Sequence, residues 1–215
     1  MNSKPNLPSS IPRNYGDAYE VASARLAAIP DVAAQCRQSG AQYRVKDSRT
    51  EITIQYLNRS YLIILPDIKV SLVDSAEEVP ARDKLLILHY FISAKGTPAA
   101  NRLITYQELP EGIVYFPTFS QRTIKPLLNR FGKEPDRLLE AGARLGGSKV
   151  DLGDTAITID AFSRVPITII LWQGDDELAP SCSILFDASI TDYLPTEDIT
   201  VLCEVITWKL IRSLE

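Results

Sequence analysis

The fold is decided by residues 155–186, which read TAITIDAFSRVPITIILWQGDDELAPSCSILF. Runs rich in β-branched and other apolar residues at 155–159, 167–172 and 181–186 each predict a strand. The last two runs flank the turn-forming residues QGDD at 173–176, so they are expected to pair as an antiparallel hairpin. Their nearly continuous apolar character is typical of strands that are buried on both faces. The sequence therefore predicts a sheet that is covered by helices.

Helical and extended patterns alternate along the rest of the chain. In chain order they predict two helices split by Pro30 within residues 15–39, strands at 42–45, 51–57 and 61–65, a helix over 80–94, short extended pieces at 102–106 and 113–116, helices over 118–132 and 134–145, and a long helix ending at 213. This is an α+β protein with antiparallel or mixed sheet elements, several helices and a long C-terminal helix. With no internal repeat and no long linker in the sequence, residues 15–215 are expected to form a single globular domain behind a flexible tail at 1–14.

Composition excludes several classes of protein. The chain has 215 residues, of which 45% are hydrophobic, enough for a self-sufficient core. The net charge is −4 and the 23 Lys and Arg residues are scattered, so nucleic acid is not an expected partner. The apolar runs are far shorter than the roughly 20 residues that span a bilayer. The three cysteines form no C-x-x-C pair, which favours reduced thiols in the cytoplasm.

Three groups of short motifs carry a family resemblance. They are LILHYF at 86–91 running on to KGTP at 95–98, then LWQGDDE at 171–177, then LFDAS at 185–189 with YLPTED at 193–198. In this order and spacing the chain resembles, over about residues 15 to 213, the domain-of-unknown-function family numbered 3786. Members are mostly from anaerobic bacteria and archaea, and some carry a cysteine-rich segment similar to an iron–sulfur module, which this chain lacks. The resemblance implies a cytosolic protein of anaerobic metabolism and carries over no reaction.

His89 is the only histidine and lies on the apolar side of the helix predicted over 80–94. An imidazole there could act as a general base or as an axial ligand to the metal of a tetrapyrrole or corrinoid. Tyr90, Trp172 and Phe186 would supply the walls of such a cofactor site. The alternative is a core histidine that is hydrogen-bonded to a carbonyl or a carboxylate. The wider aromatic set near the motifs also includes Tyr106, Tyr115, Phe116 and Phe119.

Carboxylates are the second group of candidates. Asp187 follows a predicted strand, and Glu197 and Asp198 begin the last helix, so the three could converge on a hard cation such as Mg²⁺ or Ca²⁺. Such a site would support metal-assisted hydrolysis. The alternative is local, because Asp and Glu cap helices and turns without any ligand.

Three functions remain open at this level. The preferred hypothesis is a cytosolic accessory protein that binds a small molecule or cofactor. The alternatives are a metal-assisted hydrolase that uses the carboxylate cluster, and a scaffold for a partner protein, which would show an exposed apolar patch.

Overall fold

The computed structural model describes residues 15–174 and 177–214. The predicted tail at 1–14 and the turn residues Asp175 and Asp176 lie outside the described residues. The elements in chain order are α1 (Tyr15–Ala27), α2 (Val32–Ser39), β1 (Gln42–Lys46), β2 (Arg49–Tyr56), β3 (Arg59–Leu65), β4 (Lys69–Leu72), α3 (Ala81–Ser93), β5 (Leu103–Thr105), a 3₁₀ turn (Tyr106–Glu108), α4 (Gly112–Arg122), α5 (Ile124–Phe131), α6 (Asp136–Arg144), β6 (Ser148–Val150), β7 (Thr155–Phe162), β8 (Val165–Trp172), β9 (Ser181–Asp187), a 3₁₀ turn (Ile190–Asp192) and α7 (Thr196–Arg212).

The strands form one antiparallel sheet of nine strands within the described residues. Its order is β4-β3-β2-β7-β8-β9-β5, with β1 beside β2 and β6 beside β7. The predicted hairpin is confirmed, because Ile167 pairs with Phe186 and Trp172 pairs with Ser181. Strand β8 is buried along nearly its whole length, as its apolar run predicted. The α+β class is therefore confirmed.

The order of elements repeats once, which the sequence did not predict. The first repeat runs α1-α2-β1-β2-β3-β4-α3 and the second runs α5-α6-β6-β7-β8-β9-α7. Few residues are shared, among them ITI at 52–54 and at 157–159. Between Asp160 and Phe162 an irregularity in β7 shifts the register, which obscures the correspondence in the sequence. The segment that contains β5, the Tyr106–Glu108 turn and α4 lies between the two repeats and has no counterpart in either of them.

The strands of the two repeats are joined by a single registered pair, Tyr56 of β2 and Phe162 of β7. Their rings stack with centroids 4.8 Å apart, and Tyr90 of α3 stacks on Phe162 at 4.0 Å. Each repeat also places a glycine against a turn of the other repeat. A Cβ on Gly146, before β6, would lie 2.9 Å from the Asn58 side chain in the β2–β3 turn, and one on Gly40, before β1, would lie 3.0 Å from Ser163 in the β7–β8 turn. This arrangement is a pseudo-two-fold joint filled by aromatic rings.

Helix α7 packs against α3, α4, α5 and α6 and buries most of its length. Two predictions nearby were wrong. Residues 113–116 lie in the first turns of helix α4 and are not extended. Their β propensity finds no neighbouring strand, because Ile113 and Val114 are exposed and Phe116 packs against the Tyr106 and Phe119 rings. The helix predicted over 118–132 divides at Thr123, where Pro126 has no N–H to continue the hydrogen-bond ladder. No helix within the described ranges is both long and apolar enough to cross a bilayer.

Candidate functional site

A pocket of about 390 Å³ lies between the Tyr106–Glu108 turn, helix α4 and the first turns of α7. Its walls combine aromatic rings, hydroxyl groups and charged side chains. The lining residues are Tyr106, Glu111, Tyr115, Thr118, Phe119, Arg122, Thr196, Glu197 and Thr200. A cavity of this size with mixed polar and aromatic walls is typical of small-molecule sites.

A close backbone contact holds helix α4 against the Tyr106 turn. Gly112 is buried, and a Cβ there would lie 1.9 Å from the Tyr106 carbonyl oxygen, so only glycine fits. The preceding Glu111 has a φ of 59°, in the left-handed region. The Thr196 hydroxyl of α7 donates to the Pro110 carbonyl oxygen at 2.9 Å. These contacts fix the position of α4 relative to the Tyr106 turn and the start of α7.

The floor of the pocket is aromatic. Tyr106 and Phe119 stack with ring centroids 3.9 Å apart, and Phe119 is almost fully buried. The Tyr106 hydroxyl lies 2.7 Å from the Thr200 hydroxyl oxygen on α7. Burial raises the pKa of the Tyr106 hydroxyl, against the lowering effect of this hydrogen bond. The phenol therefore stays protonated at neutral pH, and its ring is almost fully buried.

Charged groups occupy the walls. Glu111 and Glu197 are the carboxylates among the lining residues, and Arg122 is their cationic neighbour. The Arg122 guanidinium lies 3.9 Å from the Glu204 carboxylate of α7, so part of its charge is already compensated. Ile113 and Val114, on the first turn of α4, are 75% and 76% exposed but do not line the pocket.

His89 forms an ion pair or hydrogen bond with Asp198, with Nδ1 2.7 Å from Oδ2. A carboxylate paired in this way accepts from the ring N–H at Nδ1. The two side chains are 24% and 12% exposed. This is the carboxylate-paired histidine that the sequence analysis considered as an alternative, and it joins α3 to α7.

Asp198 has a buried counterpart in the first repeat. Asp83 and Asp198 are each the third residue of the last helix in their repeat, and both are buried. Asp83 lies 4.0 Å from Lys209 on α7, as Asp198 lies beside His89 on α3. Burial raises the pKa of Asp83, partly opposed by Lys209. Each helix thus offers a carboxylate to a basic group of the other.

The remaining residues of the predicted cofactor site do not share one cavity. The Tyr90 ring is buried in the joint between the repeats, and its hydroxyl donates to the Ser39 carbonyl oxygen. Phe186 is fully buried, whereas Trp172 is 37% exposed. Since Phe186 pairs with Ile167, Trp172 lies five residues further along β8, about 17 Å away.

Asp187 has a local structural role. Its carboxylate accepts from the backbone N–H groups of Ala100 (2.9 Å) and Asn101 (2.8 Å), and from both the backbone N–H and the hydroxyl of Ser189. Burial alone would raise the pKa of Asp187, but the hydrogen bonds outweigh it and hold the pKa below its ordinary value. Asp187 therefore anchors residues 100–101, just after the KGTP motif, to the end of β9, and the Tyr193 hydroxyl donates to the Thr97 carbonyl oxygen within that motif.

The three predicted metal ligands face different partners. Asp187 contacts the 97–101 loop, Asp198 contacts His89, and Glu197 lines the pocket. Among residues 15–174 and 177–214, no group of three or more His, Cys, Asp or Glu side chains is placed to hold a metal ion. The pocket residues Glu111 and Arg122 were not predicted, although Arg122 lay within the helix predicted over 118–132, because neither belonged to a motif that the sequence analysis singled out. The aromatic cluster was the signal in the sequence that pointed to this region.

Comparison with known proteins agrees with the motifs. The sequence profile described as "Domain of unknown function (DUF3786)" matches residues 31–208. No curated protein and no solved structure matches the chain significantly. The matched region spans both repeats, the segment between them and the pocket lining. The chain therefore belongs to the DUF3786 family.

Proposed function

We propose that the protein is a small-molecule-binding accessory protein, and that the ligand occupies the pocket between the Tyr106 turn, α4 and α7. The observation that carries this proposal is the pocket itself, about 390 Å³ with aromatic, hydroxyl and charged walls. The family resemblance adds the expectation of a cytosolic role in anaerobic metabolism. No step of the proposal depends on a catalytic group.

The position of the pocket within the repeats supports it. The two repeats build a symmetric frame, and the Tyr106 turn and α4 belong to the segment that interrupts this symmetry. This inserted segment covers the start of α7 and leaves the pocket there. A binding site can be added to an existing fold by an inserted segment that encloses a cavity, as this segment does.

The pocket favours a ligand smaller than the tetrapyrrole or corrinoid considered from the sequence. His89 does not line it, and Tyr90 and Phe186 are packed inside the core. Axial ligation by His89 through its Nε2 atom therefore stays a prediction, separate from this pocket.

The test is to occlude the pocket without disturbing the core. Thr118 lines the pocket and is exposed, so Thr118→Trp should fill the cavity with an indole ring. Gln121→Trp is the matched control, because Gln121 is exposed on the same helix and does not line the pocket. The protein is purified without oxygen and its adducts are read by native mass spectrometry, followed by a fragment screen using ligand-observed NMR.

We expect wild type and Gln121→Trp to bind the same ligands and Thr118→Trp to lose them. Binding that survives in Thr118→Trp would refute the pocket as the site. If neither adducts nor fragments are detected with wild type, the binding function itself is wrong.

The other two functions have less support. Exposure of Ile113 and Val114 is the observation that favours a scaffold, but a few exposed apolar residues are common on protein surfaces. Replacing both residues by Asp should abolish partner binding if they form an interface. Metal-assisted hydrolysis would need Asp187, Glu197 and Asp198 to converge, which their hydrogen bonds do not favour.

A further inference from the structure

We propose that strand β1 is an interaction surface and that its partner is a second copy of this chain, paired through its own β1 in the antiparallel direction. The proposal is independent of the pocket. It rests on the free edge of β1, on the apolar side chains beside that edge, and on a pairing register that is compatible with a two-fold axis.

The outer edge of β1 is free. Strand β1 is joined to β2 by a two-residue turn, 47–48, in which both φ angles are positive. The residues that flank such a turn, Lys46 and Arg49, form a hydrogen-bonded pair, and such pairs alternate along the ladder. The N–H and C=O groups of Tyr43 and Val45 therefore point away from β2. No hydrogen bond to these groups is found in the described part of the chain.

The core-facing side of the sheet continues across β1 into solvent. Residues directly opposite each other project to the same side of a sheet, so Tyr43 lies beside Ile52 and Val45 lies beside Thr50. Ile52 is fully buried, whereas Tyr43 and Val45 are 47% and 70% exposed. All five residues of β1 are exposed. A strand added at this edge would cover apolar side chains that now face water.

A second copy of β1 fits this edge. When two copies run antiparallel with their Arg44 residues opposite each other, Tyr43 of each copy lies opposite Val45 of the other. Their outward N–H and C=O groups then bond to each other. An aromatic side chain opposite a β-branched one is a favourable cross-strand pair. The two repeats of one chain are joined by the same kind of contact, an antiparallel pairing of Tyr56 with Phe162 about a pseudo-two-fold axis.

The charges on β1 permit this register. Arg44 and Lys46 lie on the other side of the strand from its apolar side chains. The Arg44 guanidinium is 2.5 Å from the Glu51 carboxylate, so its charge is compensated before it meets its counterpart. Lys46 would lie opposite the uncharged Gln42 of the second copy. The contact involves the five residues of each β1, against about 20–30 residues a side in a standard interface, so the association is weak and reversible.

Cysteine cross-linking tests the register. Antiparallel pairs that exchange no hydrogen bonds have Cα atoms about 4.5 Å apart, within the range that a disulfide spans. Arg44→Cys should therefore form a covalent dimer when the full chain is oxidised by air with copper–phenanthroline, and non-reducing electrophoresis measures the yield. The native thiols are buried.

Lys46→Cys is the matched control for this cross-link, because Lys46 is exposed on the same side of β1 as Arg44. Under the two-fold axis the two copies of residue 46 are separated by four residues of strand, about 13 Å, which is too far for a disulfide. We expect a several-fold higher dimer yield from Arg44→Cys than from Lys46→Cys.

Sedimentation velocity tests the association itself. The mean sedimentation coefficient of wild type should rise as its concentration increases from about 10 µM to about 1 mM. Val45→Pro removes an outward N–H and no bond of the β1–β2 ladder. It should weaken association about tenfold or more and leave the urea midpoint near that of wild type. Val45→Lys should also weaken association, whereas Val21→Lys should not, because Val21 is similarly exposed but belongs to α1.

Equal dimer yields from Arg44→Cys and Lys46→Cys would overturn the proposal, as would a wild-type chain that stays monomeric over the whole concentration range. Association that survives both Val45→Pro and Val45→Lys would refute β1 as the contact. A monomeric chain whose β1 binds an extended segment of a different protein would refute the second copy as the partner.

Discussion

The Asp187 carboxylate should be among the largest polar contributions to stability in the molecule. It is buried, and it accepts hydrogen bonds from the backbone N–H groups of Ala100 and Asn101. It also accepts from the backbone N–H and the hydroxyl of Ser189. In Asp187→Ala all of these donors lose their acceptor. The loop at 97–101 then loses its attachment to the end of β9.

The magnitude follows from those contacts. A hydrogen bond to a charged group contributes about 1.5–3 kcal/mol, but such terms do not add fully. Ala100 and Asn101 are exposed residues whose amides can bind water in the variant, whereas Ser189 is buried. We therefore expect Asp187→Ala to lower the free energy of unfolding by about 3 kcal/mol. Asp187→Asn should lose less, because its amide oxygen still accepts.

Urea unfolding followed by circular dichroism measures this change, and a shift of the midpoint by about 1 M or more is expected. Asp74→Ala is the matched control, since Asp74 is exposed between β4 and α3 and should change stability by less than about 0.5 kcal/mol. An effect of Asp187→Ala as small as that of the control would refute the structural role.

The pH dependence provides a second test. The folded pKa of Asp187 lies below its ordinary value, so the unfolded chain binds the proton more tightly. The contribution is therefore present above the unfolded pKa of about 3.9 and is lost as the pH falls through the folded pKa. The stability gap between wild type and Asp187→Asn should be constant near pH 7 and shrink below about pH 4. A gap that stays constant on acidification would contradict this account.

Three further predictions concern other regions. His89→Leu leaves the buried Asp198 carboxylate without its partner and should cost about 1–3 kcal/mol in urea unfolding; a change within experimental error would refute the pairing. Gly146→Ala combines a φ of 73° with a Cβ 2.9 Å from Asn58, and should cost about 1–2 kcal/mol; an unchanged melting temperature would contradict the tight joint between the repeats. Burial raises the pKa of each cysteine thiol, so a disulfide reagent near pH 8 should label only the unfolded protein, and native labelling would be inconsistent with buried thiols; these residues are Cys36, Cys182 and Cys203.

Part of the candidate site could be predicted from the sequence. The aromatic cluster pointed to the region of Tyr106 and Phe119, and the histidine was expected to face a buried environment. The carboxylate that pairs with His89 could not be identified, because Asp198 lies 109 residues away and many acids are equally available. Gly112 was not singled out, since its role depends on the Tyr106 carbonyl pressed against it.

The sequence by itself determined most of the secondary elements, but not the short strands β4 and β6, the start of α4 or the division at Thr123. Runs of β-branched residues specify β7, β8 and β9, prolines and glycines end helices, and these signals act over a few residues. Only the tertiary structure decided how the elements combine: the pairing of Tyr56 with Phe162, the repeat, and the pocket between α4 and α7. The physical reason is that local propensity acts between chain neighbours. Pairing and packing between distant segments depend on which surfaces fit together once the chain has closed on itself.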